Sequence, residues 1–244
     1  MSAVDDHSLH PPFIYNFYRQ VINPAKKGPR FPEIIDLYKT LSNDSTEIEV
    51  EDLGAGSAYG LYKKRSISDI AKRCSSPAKV SRLLYQIGVF LKAKNMLELG
   101  TSLGVNTAYL AQISAMTIHT IEGSKGIHQV ANNHLKKHEN VIRHQGNIND
   151  LLEHILSKMD SVDMAYFDAN HTYEATLTYF DQVFHKRLPS SVFIIGDIHW
   201  STGMEDAWKE IIHMPEVTLS IDLFHCGLVF FLPVREKQHY VIAF

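Results

Sequence analysis

The chain has 244 residues, 45% of them hydrophobic, and a formal net charge of −3. That is apolar material for one substantial core, and without a basic tract the charge excludes a nucleic-acid backbone as the main partner. No apolar run approaches the ~20 residues of a membrane span, and the polar N-terminus lacks a signal peptide's apolar centre. Cys74 and Cys226 are the two cysteines. They have no metal-ligand spacing and imply no disulfide framework, which fits a reducing cytoplasm. The 14 histidines fall mostly singly, and a typical one, such as His134 or His138, reads as solvated.

Residues 1 to about 45 are rich in aromatics and prolines (Pro11, Pro12, Pro24, Pro29, Pro32) and read as short helices broken by loops. Ile48 and Val50 alternate with acids, and Asp52-Leu53-Gly54-Ala55-Gly56-Ser57 follows. This glycine-rich run imitates a nucleotide turn, but Lys63-Lys64-Arg65 comes next instead of an apolar helix. It is read as a loop covering the active site. Ser66 to Ala71 starts a helix with hydroxyl caps, and Pro77 interrupts it. Leu83, Leu84, Ile87, Phe90 and Leu91 recur at helical spacing. Strand and helix then alternate. Strands are predicted at 96–99, 117–121, 141–144, 162–167 and 191–196. Helices are predicted at 105–115, 125–137, 149–158, 173–186 and 203–213. Strands near 217–224, 227–232 and 239–244 close the chain. The alternation predicts an α/β fold, a mostly parallel doubly wound sheet with helices on both faces. The last strands lack intervening helices, so that edge is expected to be antiparallel. The run 239–244 is expected to pair within the sheet or at a subunit contact.

The most informative stretch is Met96-Leu97-Glu98-Leu99-Gly100-Thr101-Ser102-Leu103-Gly104. It reads as a strand, a tight turn and a helix N-terminus, the place where open α/β sheets bind nucleotide-like ligands. Gly100 and Gly104 allow close backbone approach. Ser102 stands where a dinucleotide motif has its second glycine. Glu122 closes the next strand, about 20 residues on, where an acid accepts hydrogen bonds from both ribose hydroxyls. These residues point to a ribose-containing ligand.

This turn, Glu122, the segment Phe167-Asp168-Ala169-Asn170-His171-Thr172-Tyr173-Glu174 and the segment Gly196-Asp197-Ile198-His199-Trp200 together resemble the class I S-adenosylmethionine-dependent methyltransferases. They are most similar to bacterial small-molecule O-methyltransferases related to the catechol type. The resemblance covers about residues 80–244. It implies a seven-stranded Rossmann-like sheet over 81–244, with residues 1–80 as an N-terminal helical cap or lid. It also implies S-adenosyl-L-methionine as cofactor and a small hydroxylated molecule as methyl acceptor. Nucleic acid and membrane are not expected as partners, and a homodimer is compatible with the fold.

The cofactor set expected on this basis is Glu98, Gly100, Thr101, Ser102, Gly104, Glu122, Gly123, Asn147 and Asp168. Glu122 suits the ribose diol, and Glu98 the ammonium, directly or through water. Backbone N–H groups from Gly100 to Ser102 suit the carboxylate. Asn147 stands where the family often has an Asp facing adenine. Its side chain could still accept from the adenine amino group, or it could serve only as a turn residue of left-handed geometry.

His171 matches a basic position of the family and is the expected general base, since imidazole titrates near neutral pH. Its alternative role is to cap the helix or contact the cofactor. Asp168 and Asp197 would end neighbouring strands and could share a divalent cation such as Mg²⁺. The metal-dependent family has a second acid or an Asn after that Asp. This chain has Ile198, so His199 is a substitute ligand that would favour a softer metal. Alternatively Asp197 and His199 pair with each other. Trp200, Tyr59 and Tyr173 are candidates for an aromatic acceptor wall, though such residues more often serve simple core or rim packing. Met204 and Trp208 read as core, and Phe230 and Phe231 as sheet packing. Two other functions are compatible with such a turn: an NAD-dependent oxidoreductase, against which Ser102 and the missing third glycine argue, and a binding protein of methyltransferase fold without turnover.

Overall fold

The computed structural model describes residues 12–51, 62–73, 77–233 and 236–244. Helix α1 (Pro12–Phe17), a π turn (Tyr18–Ile22), α2 (Asn23–Lys27) and α3 (Pro32–Asn43) lead into strands β1 (Glu47–Glu51) and β2 (Tyr62–Ser66). Then come α4 (Ile67–Arg73), α5 (Ala78–Leu91), β3 (Asn95–Leu99), α6 (Val105–Leu110), β4 (Thr117–Glu122) and α7 (Lys125–Leu135). The alternation continues through β5 (Val141–Gln145), α8 (Ile148–Ser157), β6 (Val162–Phe167), α9 (Tyr173–Phe184), β7 (Arg187–Gly196) and α10 (Thr202–His213). Strands β8 (Leu219–Asp222), β9 (Cys226–Phe230) and β10 (Gln238–Val241) complete it.

Eight strands form one sheet in the order β10-β8-β9-β7-β6-β3-β4-β5. β5, β4, β3, β6 and β7 run parallel, and β9 lies antiparallel between β7 and β8. The sheet thus has one strand more than the resemblance implied. β10 pairs parallel to β8 and covers backbone groups that would otherwise be unpaired at that edge.

Strand periodicity sorts the core into two layers. Met96, Ile118, Met164, Tyr166, Val192 and Ile194 face one layer, filled by α5 and by Ile14, Phe17, Val21 and Ile22. Leu97, Leu99, Ile121, Ala165, Phe167, Phe193 and Ile195 face the other, filled by α8, α9 and α10. Within residues 12–80, α1 and the π turn therefore belong to the main core. Phe17 meets Phe230 edge-on, with ring centroids 5.1 Å apart. That region also holds a hairpin besides its helices, because β1 and β2 pair antiparallel. The hairpin rests on the start of α7. A Cβ on Gly126 would lie 2.1 Å from the Glu49 carbonyl oxygen, so this approach requires glycine.

The predicted helix 105–115 stops early, at Leu110. The side-chain amide of Asn140 donates to the carbonyls of Ala111, Ile113 and Met116, which turns that segment away from helical bonding. Other elements of the α/β alternation lie within a few residues of their expected places. The Asp52–Ser57 loop and Tyr59 fall outside the described residues.

Candidate active site

The glycine turn joins β3 to α6 at the carboxyl edge of the sheet. Gly100 has φ +99° and Gly104 φ +78°, the left-handed region that a Cβ disfavours. A Cβ on Gly100 would also lie 2.3 Å from the Asp168 carbonyl oxygen. Gly104 caps α6 and lies against Leu135 and His134 of α7. His134, expected to be solvated, thus packs under the turn, and burial holds its pKa below the usual histidine value. Thr101 is buried and shares a hydroxyl contact of 2.6 Å with Thr120.

The N–H groups expected to meet a carboxylate have intrachain partners. Gly100 and Thr101 donate to the Ile121 carbonyl at 3.0 and 3.1 Å, and Ser102 donates to Glu122 Oε2 at 2.8 Å. In this conformation the turn is tied to β4 by those donors.

Two carboxylates stand at the ends of β3 and β4. Glu98 is 0% exposed. Its Oε2 accepts from the hydroxyls of Thr107 (2.5 Å) and Thr120 (2.6 Å), while Oε1 is buried without a partner. Burial pushes its pKa up to about 7, with Asp168 and Glu122 adding to the rise. Glu122 is 9% exposed, and its two oxygens accept the backbone N–H groups of Ser102 and of Ser124 (2.9 Å). Burial pushes it up to about 7 against those bonds. Beside it, Gly123 accepts from the Gln145 side chain at 3.2 Å, and Ser124 Oγ accepts the N–H of Glu51 from the hairpin at 3.3 Å. Asn147 is the N-cap of α8, its Oδ1 accepting from the Asn149 N–H at 2.9 Å. With φ −64° it has no left-handed geometry, so the turn role is realised as a cap.

Asp168 follows β6 and Asp197 follows β7, neighbours in the sheet. A Cβ on Gly196 would lie 2.5 Å from Asp168 Oδ1, so that glycine makes room for the carboxylate. His171 sits just ahead of α9, whose N-cap is Thr172. Its Nε2 faces Asp168 Oδ1 at 3.9 Å and Asp197 Oδ2 at 3.8 Å. Asn170, His171 and Asp197 all have positive φ (65°, 27° and 51°). Such backbone strain in non-glycine residues clusters at functional sites. The three possible ligand atoms lie within 4.8 Å of one another. Two carboxylates with an imidazole, in a notch cleared by Gly196, are a donor set that fits a divalent ion.

His199 does not join them, and it does not pair with Asp197. Ile198 is wholly buried and anchors the loop into the core, and His199 turns to Asp222 Oδ2 at 2.8 Å and Glu205 Oε1 at 3.5 Å. Tyr173 donates its hydroxyl to Glu210, bracing α9 against α10 rather than forming a wall. Trp200 is 73% exposed, while Met204, Trp208, Phe230 and Phe231 are buried as expected. Sequence reasoning gave no role to Thr107, Thr120, Gly196 and Asp222. Only Gly196, a glycine directly before the strand-ending Asp197, carried a local signal.

A family model described as "Methyltransferase domain" matches residues 97–198. No curated protein matches the chain by sequence. Among solved structures, cofactor-bound Rv0187 from MTB is 15% identical with TM-score 0.63, over 94% of this chain and 99% of that one. The SAH-bound methyltransferase PaMTH1 from Podospora anserina is 12% identical with TM-score 0.63, over 92% and 98%. The O-methyltransferase TomG from Streptomyces achromogenes, solved with SAM, is 19% identical with TM-score 0.56, over 65% and 82%. Identities this low speak for the fold, and the domain match adds the family signal across the turn, Glu122 and the Asp168 and Asp197 strand ends. Over residues 97–198 the chain is thus similar to a methyltransferase-domain family, and its fold is the one it shares with these solved structures.

Proposed function

We propose that this protein transfers the methyl group of S-adenosylmethionine to a hydroxyl of a small molecule. The observation that carries the reading is the sealed Glu98 carboxylate, with one oxygen unpartnered, beside Glu122 on the next strand end. When bound, S-adenosylmethionine supplies a methyl group on a sulfonium, open to in-line displacement by a partly deprotonated oxygen. Glu98 Oε1 accepts from the ammonium, and Glu122 from the ribose diol through its remaining lone pairs. Gly123 and Asn147 border the adenine side. Gly100, Thr101, Ser102 and Gly104 shape the turn, and Asp168 flanks the reacting end.

At the acceptor side His171 removes the hydroxyl proton through Nε2, in the notch it shares with Asp168 and Asp197. A divalent cation such as Mg²⁺ would be held by Asp168 and Asp197 and would acidify a bound hydroxyl. Positioning of the acceptor supplies the rest. The β1–β2 strand pair acts as part of a cap, a role supported by the contact of the Glu51 N–H with Ser124 beside Glu122. The NAD-linked reading is not favoured by the methyltransferase-domain match. The binding-only reading is opposed by the complete set of Glu98, Glu122, Asp168 and His171.

Calorimetric titration with S-adenosylhomocysteine tests this. Charged hydrogen bonds contribute roughly 1.5–3 kcal/mol, so Glu122→Ala and Glu122→Gln should each weaken binding by about 10- to 100-fold. Unchanged affinity in both would count against the assignment. A panel of hydroxylated acceptors, read by S-adenosylhomocysteine release, tests turnover.

A further inference from the structure

The acceptor-side cluster contains an imidazole that changes which ion it can hold. The separations of 3.8 and 3.9 Å from His171 Nε2 to the two carboxylates are too long for hydrogen bonds. Two metal–ligand bonds of about 2.0–2.2 Å span such a gap at an open angle. The positive φ of Asn170 and His171 turns the ring toward the carboxylates, and Asp197, also at positive φ, meets it from the next strand. Of the other nearby imidazoles, His199 is engaged by Asp222 and Glu205, and His225, whose carbonyl accepts the Asp197 N–H, is not among the clustered ligand atoms. Mg²⁺ prefers an all-oxygen shell, whereas nitrogen donors raise affinity along the first transition row toward Zn²⁺.

We infer that Asp168, His171 and Asp197 form a site for a divalent transition ion of the Co²⁺ to Zn²⁺ class, with His171 Nε2 as the nitrogen ligand. Such an ion silences methyl transfer. This corollary rests on the reading of His171 as proton acceptor, because a lone pair donated to a metal cannot take the hydroxyl proton. Mg²⁺ on the carboxylates alone leaves that nitrogen free.

Co²⁺ is the probe. The wild-type protein, His171→Asn and Asp197→Asn are titrated by calorimetry and by visible absorption, with thermal melts confirming that each variant folds. Asn tolerates the left-handed backbone at both positions. The expected result is one Co²⁺ site whose visible band Zn²⁺ erases. Its affinity should fall at least about tenfold in each variant, the low end of what even outer partners of a metal cost. Mg²⁺ affinity should fall in Asp197→Asn and stay within about threefold in His171→Asn. A Co²⁺ band and affinity unchanged in His171→Asn would overturn the site. So would a band surviving both substitutions, which would place the ion at another imidazole such as the His119–His144 pair, 3.1 Å apart. If the band behaves as expected but Zn²⁺-loaded protein turns over an acceptor as fast as chelated protein, the site stands and the reading of His171 as base fails. If no acceptor is turned over while the band behaves as expected, the hydroxyl-methylation reading fails and the site stands.

Discussion

The two halves of the crevice are built on opposite principles. At the ends of β3 and β4, Glu98 and Glu122 are sealed from water and held by hydroxyls and backbone N–H groups. At the ends of β6 and β7, Asp168, His171 and Asp197 are partly exposed, and the last two rest on left-handed backbone. Buried acids without countercharge store an electrostatic demand that a cationic ligand can meet. Exposed groups on strained loops can adapt to different acceptors, at the cost of local stability. On the proposed reading the difference means that the cofactor half is preset by its buried hydrogen bonds, while adaptation to the acceptor falls to the other half.

The strongest way to break this comparison is at Gly100. Gly100→Ala places a Cβ against the Asp168 carbonyl on a left-handed backbone, and should cost at least about 2 kcal/mol of stability in denaturant unfolding. An unchanged midpoint would mean that the turn is not rigid. Next comes Glu98→Gln, which keeps the shape and removes the charge. It should weaken S-adenosylhomocysteine binding by at least about tenfold, with a smaller loss for a ligand lacking the ammonium. Equal losses for both ligands would remove the ammonium contact.

The pH dependence sharpens the same contrast. Glu98 and Glu122 have folded pKa values raised from the ordinary 4.5 to about 7. An acid raised on folding contributes stability that is complete below its unfolded pKa and is lost as pH rises through its folded one. The ligand-free protein should therefore lose stability between about pH 4.5 and 7 relative to Glu98→Gln, measured as the difference between their melting curves. S-adenosylhomocysteine, whose ammonium favours the ionised acid, should bind more tightly at pH 8 than at pH 6. Parallel melting curves and flat affinity would contradict the buried-acid description. The smallest effect is expected at Asn147. Asn147→Ala removes a helix cap and should cost about 0.5–2 kcal/mol, with less than a tenfold change in ligand affinity. A larger affinity loss would show that Asn147 holds adenine directly.

Much of the geometry at the ends of β3 and β4 was legible in the sequence because its signals are local. Gly100 and Gly104 mark backbone that other residues avoid, and Glu122 ends an apolar run at a fixed distance. The engagement of Ser102 N–H by Glu122 was not legible, since a carboxylate that caps a turn and one that meets a ribose look alike in sequence. The acceptor half was less readable. Asp168, His171 and Asp197 stood out as strand-end residues. The partners of His199 did not, because Asp222 lies 23 residues away on a strand whose place in the sheet is set by tertiary pairing. The partner of Tyr173 was hidden for a similar reason, Glu210 being on a different helix.

A crystal structure with S-adenosylhomocysteine tests the central claim most directly. The account predicts the ammonium at Glu98 Oε1, directly or through one water, and the ribose hydroxyls on Glu122. A nucleoside lodged elsewhere, with Glu98 Oε1 still unpartnered, would contradict it.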